Sequence, residues 1–297
     1  MSYLQARPFG RTGLFVSPLG LGAGEIGGDH LDEREVETLL RTAVERGVTL
    51  IDTARSYGQS EARIGRVLAP VRDRVVLSTK VGYGVDGVAD WTGECIQLGI
   101  ERALGQLATD RIDIVHLHSC PVEILERGDV IAALHDARRA GKLRCAAYSG
   151  DNEPLVWAAA SGQFDSLQLS WNLCDQRAAP VIERASAAGM GVIAKRPLAN
   201  APWRYAERPV GQEAEPYWIR WQALAIDARG LVGGDAELAA RFAAHYPGVS
   251  SAIAGTRQVA HLCDNVELVA RGALDPELVG QLRARFAAVG ADWPSRI

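Results

Sequence analysis

Short apolar runs recur along the chain and alternate with longer stretches in which apolar residues return every third or fourth position. The short runs predict buried strands at Leu19 to Leu21, Val48 to Asp52, Val75 to Lys80, Ile112 to Leu117, Cys145 to Ser149, Ser166 to Leu169, Gly191 to Lys195 and Ser250 to Ala254. The longer stretches predict helices at Glu33 to Arg46, Glu61 to Leu68, Glu94 to Leu107, Val122 to Ala140, Pro154 to Ala160, Gln176 to Ala188 and Arg257 to Leu268. Most of these are Ala- and Leu-rich with charges on one side, as in helices that lay one stripe on a sheet. Eight strand signals in repeating βα order suit a closed (β/α)8 barrel of the TIM class.

Two segments depart from the repeat. Arg7 to Val16 places Gly10 and Gly13 around a turn between short apolar pieces, which predicts a small hairpin outside the barrel. Arg196 to Pro247, inserted before the last strand, carries Trp203, Tyr205, Tyr217, Trp218 and Trp221 and is expected to hold two helices of its own. Aromatics on the carboxyl face of a barrel can wall a substrate pocket; equally, they can pack the insertion onto the barrel.

With 297 residues, 47% of them hydrophobic, the chain fits one barrel domain over 1–297. A net charge of −4 with both signs scattered supplies no basic face for nucleic acid and no polybasic membrane anchor, so a small-molecule partner is expected. Neither a leader-like apolar stretch at the N-terminus nor a run of membrane-spanning length is seen, and the expected location is the cytoplasm. Cys95, Cys120, Cys145, Cys174 and Cys263 are odd in number and far apart, which reads as free thiols in a reducing compartment. Oligomeric state leaves no mark in the sequence.

The chemistry gathers at successive strand ends. Asp52 closes one strand signal, and the chain breaks through Ser56, Tyr57 and Gly58 before the next helix. A phenol with an ordinary pKa of about 10 needs a nearby cation to give up its proton, and the following strand ends on Lys80. An ammonium there requires a partner, for which Asp52 is the candidate. The strand after that ends near His118, two residues beyond His116, and H-x-H on a strand puts both imidazoles on one face. That pair could begin a metal site, but no further histidine stands at a strand end, so no metal is expected. Gly22, Gly24 and Gly27 match G-x-G-x-x-G and, with Asp52, imitate a dinucleotide fingerprint. The fingerprint requires its glycines to open a helix, whereas Gly28, Asp29 and His30 intervene before one begins.

The segments I-D-T-A-R-S-Y-G-Q-S-E at 51–61, S-T-K at 78–80 and D-I-V-H-L-H-S at 113–119 resemble the aldo-keto reductase family, and the resemblance runs from Phe9 to Asn265. It places the family's catalytic tetrad on Asp52, Tyr57, Lys80 and His118. It also implies a hairpin that closes the barrel bottom, and reversible hydride transfer between a nicotinamide cofactor and a small carbonyl or alcohol substrate. Ser149 and Gln168 resemble the residues that hold the nicotinamide carboxamide, and Gly255, Thr256, Arg257 and Asn265 those at the diphosphate and adenosine end. Where many members carry an aromatic that stacks on the nicotinamide, this chain has Lys195 and Arg196, whose charges suit the diphosphate; Trp171 is then the candidate wall. Arg257, read as lying in the first turn of the last helix, points to NADP(H), with NAD(H) as the alternative. Two other readings share these residues: an NAD-linked sugar dehydrogenase, and a cofactor-binding regulatory subunit with little turnover.

Overall fold

In a computed structural model, described for residues 4–296, strands β1 (Arg7–Pro8) and β2 (Phe15–Val16) pair antiparallel as the predicted hairpin. Strands β3 (Leu19–Gly22), β4 (Leu50–Asp52), β5 (Val76–Val81), β6 (Ile112–His118), β7 (Leu143–Ser149), β8 (Ser166–Ser170), β9 (Gly191–Lys195) and β10 (Ser251–Gly255) then form a closed barrel, β10 returning to pair with β3. All of the barrel pairings are parallel. The fold is a (β/α)8 barrel.

Helices α1 (Glu33–Glu45), α2 (Ser60–Leu68) and α3 (Gly93–Gln106) follow β3, β4 and β5. Side-chain caps set the starts of α1 and α3: Asp32 accepts from the Arg34 amide and Thr92 from the Cys95 amide, each satisfying a backbone donor that a helix leaves free. The stretch expected to run from Val122 to Ala140 is two helices, α4 (Val122–Arg127) and α5 (Asp129–Arg139). Gly128 divides them at φ +80°, a left-handed turn that ends a helix. Helices α6 (Asn152–Ser161) and α7 (Ala179–Ala187) continue the repeat. The insertion holds α8 (Glu215–Leu224), a four-residue α9 (Ala228–Leu231) and α10 (Asp235–Ala244), one more helix than expected. After β10 come α11 (Val259–Ala270) and α12 (Pro276–Val289). The last was not anticipated, although Asp275-Pro276-Glu277 is a start signal and Asp275 does accept from the Glu277 amide.

The barrel interior changes character along its axis. Side chains two apart on a strand share a face, and the inward positions nearest the amino ends are Leu50, Val76, Ile114, Cys145, Ile193 and Ile253, which cluster with Phe9, Leu14 and Val16 of the hairpin segment. Phe9 is fully buried, and a Cβ at Gly191 would lie 2.6 Å from its ring. Two positions further along the same faces stand Asp52, Ser78 and His116, then Lys80 and His118. The hairpin therefore plugs a dry half, and the polar half opens at the carboxyl ends.

Candidate active site

Tyr57 is seated by the loops on either side of it. Its amide donates to the Ala54 carbonyl at 3.0 Å; below, Thr53 Oγ1 donates to Ser60 Oγ, and Ser60 Oγ to the Ala23 carbonyl, both at 2.8 Å. Gly27, the last glycine of the false fingerprint, has its purpose here, since a Cβ on it would lie 2.0 Å from the Tyr57 carbonyl oxygen. The other glycines of that motif close β3 and enter a 3-10 turn at Ala23–Ile26 rather than an α-helix.

Lys80 Nζ donates to Asp52 Oδ2 at 2.6 Å and to the Thr53 carbonyl at 2.7 Å, and stands 5.1 Å from the centroid of the Tyr57 ring. Both members of the ion pair are 2% exposed. The remaining capacity of the carboxylate is filled by Ser78 Oγ at 2.7 Å and Gln168 Nε2 at 2.8 Å, and Gln168 Oε1 accepts from Ser149 Oγ at 2.9 Å. Burial alone would push the Asp52 carboxyl up; the Lys80 ammonium reverses this and holds it below the usual carboxylate range. Burial likewise works against the Lys80 ammonium, yet Asp52 and then Tyr57 outweigh it and keep its pKa above that of an ordinary lysine.

His118 meets Tyr57 edge-on, ring centroids 6.2 Å apart, and its Nδ1 lies 2.7 Å from Tyr83 Oη. His116 Nε2 lies 3.1 Å from Ser78 Oγ. Burial, reinforced by the Lys80 charge, takes the His118 pKa down to about 3, and burial takes His116 to about 4. Neither imidazole should therefore titrate when its ring resonances are followed by NMR over roughly pH 5 to 8, and a midpoint near the ordinary value for either would contradict this environment. Unfolding restores a pKa of about 6.5, so below that pH the unfolded chain binds more protons and the two histidines withdraw stability as the pH falls; above it they withdraw none.

Asp52 and Tyr57 border a cavity of about 850 Å³ whose wall continues through Lys195, Arg196, Trp203 and Tyr205 to Gly255, Thr256, Arg257 and Asn265. Ser149 and Gln168 are buried beside it, already bonded to each other. Lys195 is not a free cation: its Nζ lies 2.7 Å from Asp151 Oδ2, and burial pulls its pKa below the usual lysine value. Arg196 donates to Ser170 Oγ at 3.2 Å and to the Arg296 carbonyl at 2.7 Å, the Arg296 amide in turn donating to Asp175 Oδ2 at 3.0 Å. Thr256 Oγ1 accepts from the Gln258 amide at 3.0 Å. Arg257 is exposed and stands two residues before α11 rather than in its first turn; it makes no ion pair among the described residues. Arg34 joins it along an adjoining depression of about 530 Å³.

Trp171 does not wall this cavity. It is fully buried, stacked on Phe242 at 5.5 Å and tilted against Tyr246 at 4.2 Å. Of the inserted aromatics, Trp203 and Tyr205 line the cavity, whereas Tyr217 and Trp221 are buried and Trp218 donates to the Tyr205 carbonyl at 3.0 Å. Sequence reasoning missed Ser78, Asp151 and Tyr83. Alternation was signal enough for the first, two residues before Lys80 on the same strand face; the other two lie in loops. Among the described residues, no group of three or more His, Cys, Asp or Glu is placed to hold a metal ion, and no helix is long and apolar enough to cross a membrane.

The family model described as "Aldo/keto reductase family" matches residues 18–285. L-galactose dehydrogenase of Arabidopsis thaliana is 26% identical, the match covering 100% of this chain and 99% of that protein. 6-dehydroglucose reductase of Novosphingobium aromaticivorans is 25% identical over 88% of this chain and 89% of its own. A solved structure of a Pseudomonas aeruginosa protein assigned to the aldo-keto reductases is 33% identical, with a TM-score of 0.73, and the match covers 90% of this chain and 94% of that one.

Proposed function

The chain belongs to the aldo/keto reductase family, and from that premise we propose that it is a cytoplasmic, single-domain, NADP(H)-dependent oxidoreductase that interconverts small aldehydes or ketones, sugars among them, with the corresponding alcohols. The observation that carries the reading is the buried Lys80–Asp52 pair set 5.1 Å from the Tyr57 ring at the mouth of the barrel. The sugar class draws on the two curated relatives, both named for sugar substrates.

The cavity fits a dinucleotide. It runs from Tyr57 to Asn265 along Gly22, Gly24 and Gly255, where side chains are missing from the wall, and passes Arg196, Arg204 and Arg257. Ser149 and Gln168 would hold the carboxamide end by exchanging their present bonds. Gly255, Thr256 and Asn265 would take the diphosphate and adenosine end, just before α11, where backbone N–H groups favour an anion. Lys195 and Arg196 would act from the side of the diphosphate. When bound, the nicotinamide supplies a hydride for the carbonyl carbon.

Tyr57 then donates its phenolic proton to the carbonyl oxygen, and His118, neutral and hydrogen-bonding, polarises the same oxygen. Lys80 stabilises the phenolate left behind, and Asp52 holds Lys80 in place. Oxidation of the alcohol reverses each step. Incubating the purified protein with NADPH and a panel of aldehydes, ketones and sugars tests the reading; turnover of none of them would remove it.

Cofactor choice rests on Arg257. The 2′-phosphate of NADP(H) adds negative charge that a guanidinium meets with charge-assisted hydrogen bonds. Arg257→Ala is therefore expected to weaken NADPH about ten- to a hundredfold, the worth of one charged hydrogen bond, and to leave NADH nearly untouched. Tighter wild-type binding of NADH, or equal losses for the two cofactors, would favour the NAD-linked sugar dehydrogenase instead.

A further inference from the structure

The loop after β5 carries a second phenol that the mechanism leaves unused. Tyr83 Oη lies 2.7 Å from His118 Nδ1 and 3.4 Å from Ser56 Oγ, and its ring stacks on the imidazole at 5.6 Å and 22°. A neutral imidazole has one donor nitrogen and one acceptor, so whatever fixes the proton at one end fixes the other. The phenolic hydrogen belongs on the imidazole rather than on Ser56, because the ring nitrogen is the stronger acceptor and the contact is much the shorter. Nδ1 is then the acceptor, and the ring proton sits on Nε2, which makes no hydrogen bond to any described residue.

The loop is built to hold this contact. Trp91 packs edge-on to Tyr83 at 5.8 Å, and its amide donates to the Gly82 carbonyl at 2.7 Å. Gly82 adopts φ +142°, and a Cβ there would lie 2.2 Å from the Trp91 ring. The Gly84 amide donates to Asp90 Oδ1 at 2.8 Å, and Arg127 to the Trp91 carbonyl at 2.6 Å. Trp91 itself sits at φ +57°, a strained conformation for a bulky side chain that persists only where neighbouring contacts impose it.

We propose that Tyr83 is a positioning residue whose hydroxyl holds His118 in the Nε2–H tautomer, so that the imidazole presents a donor to the carbonyl oxygen beside Tyr57. The inference deepens the function proposed above and rests on it for the identity of that oxygen. The reverse arrangement, with Nδ1–H donating to Tyr83 and Tyr83 to Ser56, would aim a lone pair at the carbonyl and repel it.

The tautomer is read directly from the ring-nitrogen resonances of His118 in 15N-labelled protein, assigned with His118→Asn. The wild type is expected to carry its proton on Nε2. Tyr83→Phe keeps the ring stack and removes the hydroxyl; it should return His118 to a mixture of tautomers and lower kcat for carbonyl reduction roughly tenfold, about one hydrogen bond, with the NADPH Kd unchanged. A wild-type proton on Nδ1, or a tautomer population that Tyr83→Phe leaves as it was, would overturn the proposal whatever the activity. If the wild type reduces no carbonyl, the functional reading fails, and the NMR measurement still decides the role of Tyr83.

Discussion

Tyr57→Phe is expected to lower carbonyl reduction by at least ~10²-fold, the ordinary contribution of a general acid, while NADPH binds almost as before. The substitution removes one hydroxyl and nothing that seats the ring. The turn that carries Tyr57 is held by its backbone and by Thr53 and Ser60, none of which the change touches. Tyr83 offers no replacement acid, because its hydroxyl is engaged with His118. Steady-state rates and cofactor titration on the same preparation separate the outcomes: loss of turnover with binding kept supports the assignment, and near-normal reduction ends it. Loss of both would point to a displaced loop.

The second large effect is on stability. Asp52→Ala strands the Lys80 ammonium in a site 2% exposed, and an uncompensated buried charge costs about 3–5 kcal/mol. For a chain of this size that is a fall in Tm of roughly 5–8 °C. Lys80→Met should cost less, since the carboxylate keeps donors in Ser78 and Gln168. The double variant Asp52→Ala, Lys80→Met should be more stable than Asp52→Ala alone, because it leaves neither charge unpaired. A loss below about 1 kcal/mol for Asp52→Ala would mean that water reaches the pair. Asp52 titrates below its ordinary range and Lys80 above its own. The stabilisation is thus present through neutral pH and is lost as acid protonates the carboxylate or base removes the ammonium proton.

Periodicity carried much of this architecture in plain view. Barrel strands of three to seven residues were legible because their buried apolar runs alternate with amphipathic helices, and Asp52, Lys80 and His118 stood out as polar residues ending apolar strands. What stayed hidden depends on contacts distant in sequence. Lys195 looks like a free cation until folding brings Asp151 to 2.7 Å, and Trp171 looks like a cofactor wall until Phe242 and Tyr246, from the far end of the insertion, enclose it. Tyr83 lies in a loop shaped by Gly82 and Trp91, with no repeat to betray its direction. The false fingerprint is instructive in another way: Gly27 answers a steric demand of the Tyr57 loop, and spacing alone does not distinguish that demand from a phosphate's.

The hairpin plug at Phe9, Leu14 and Val16 bears on how inactive variants of this protein should be interpreted. The polar half of the barrel contributes chemistry at some expense in burial, and it rests on an apolar floor that the hairpin completes. A random-mutagenesis screen for lost activity should therefore recover changes near Phe9 and Gly191, at the opposite end of the barrel from every reacting group, and a substrate-docking view would misread them as neutral. Scoring soluble yield alongside activity would separate the two populations, with floor variants losing both and mouth variants losing activity alone.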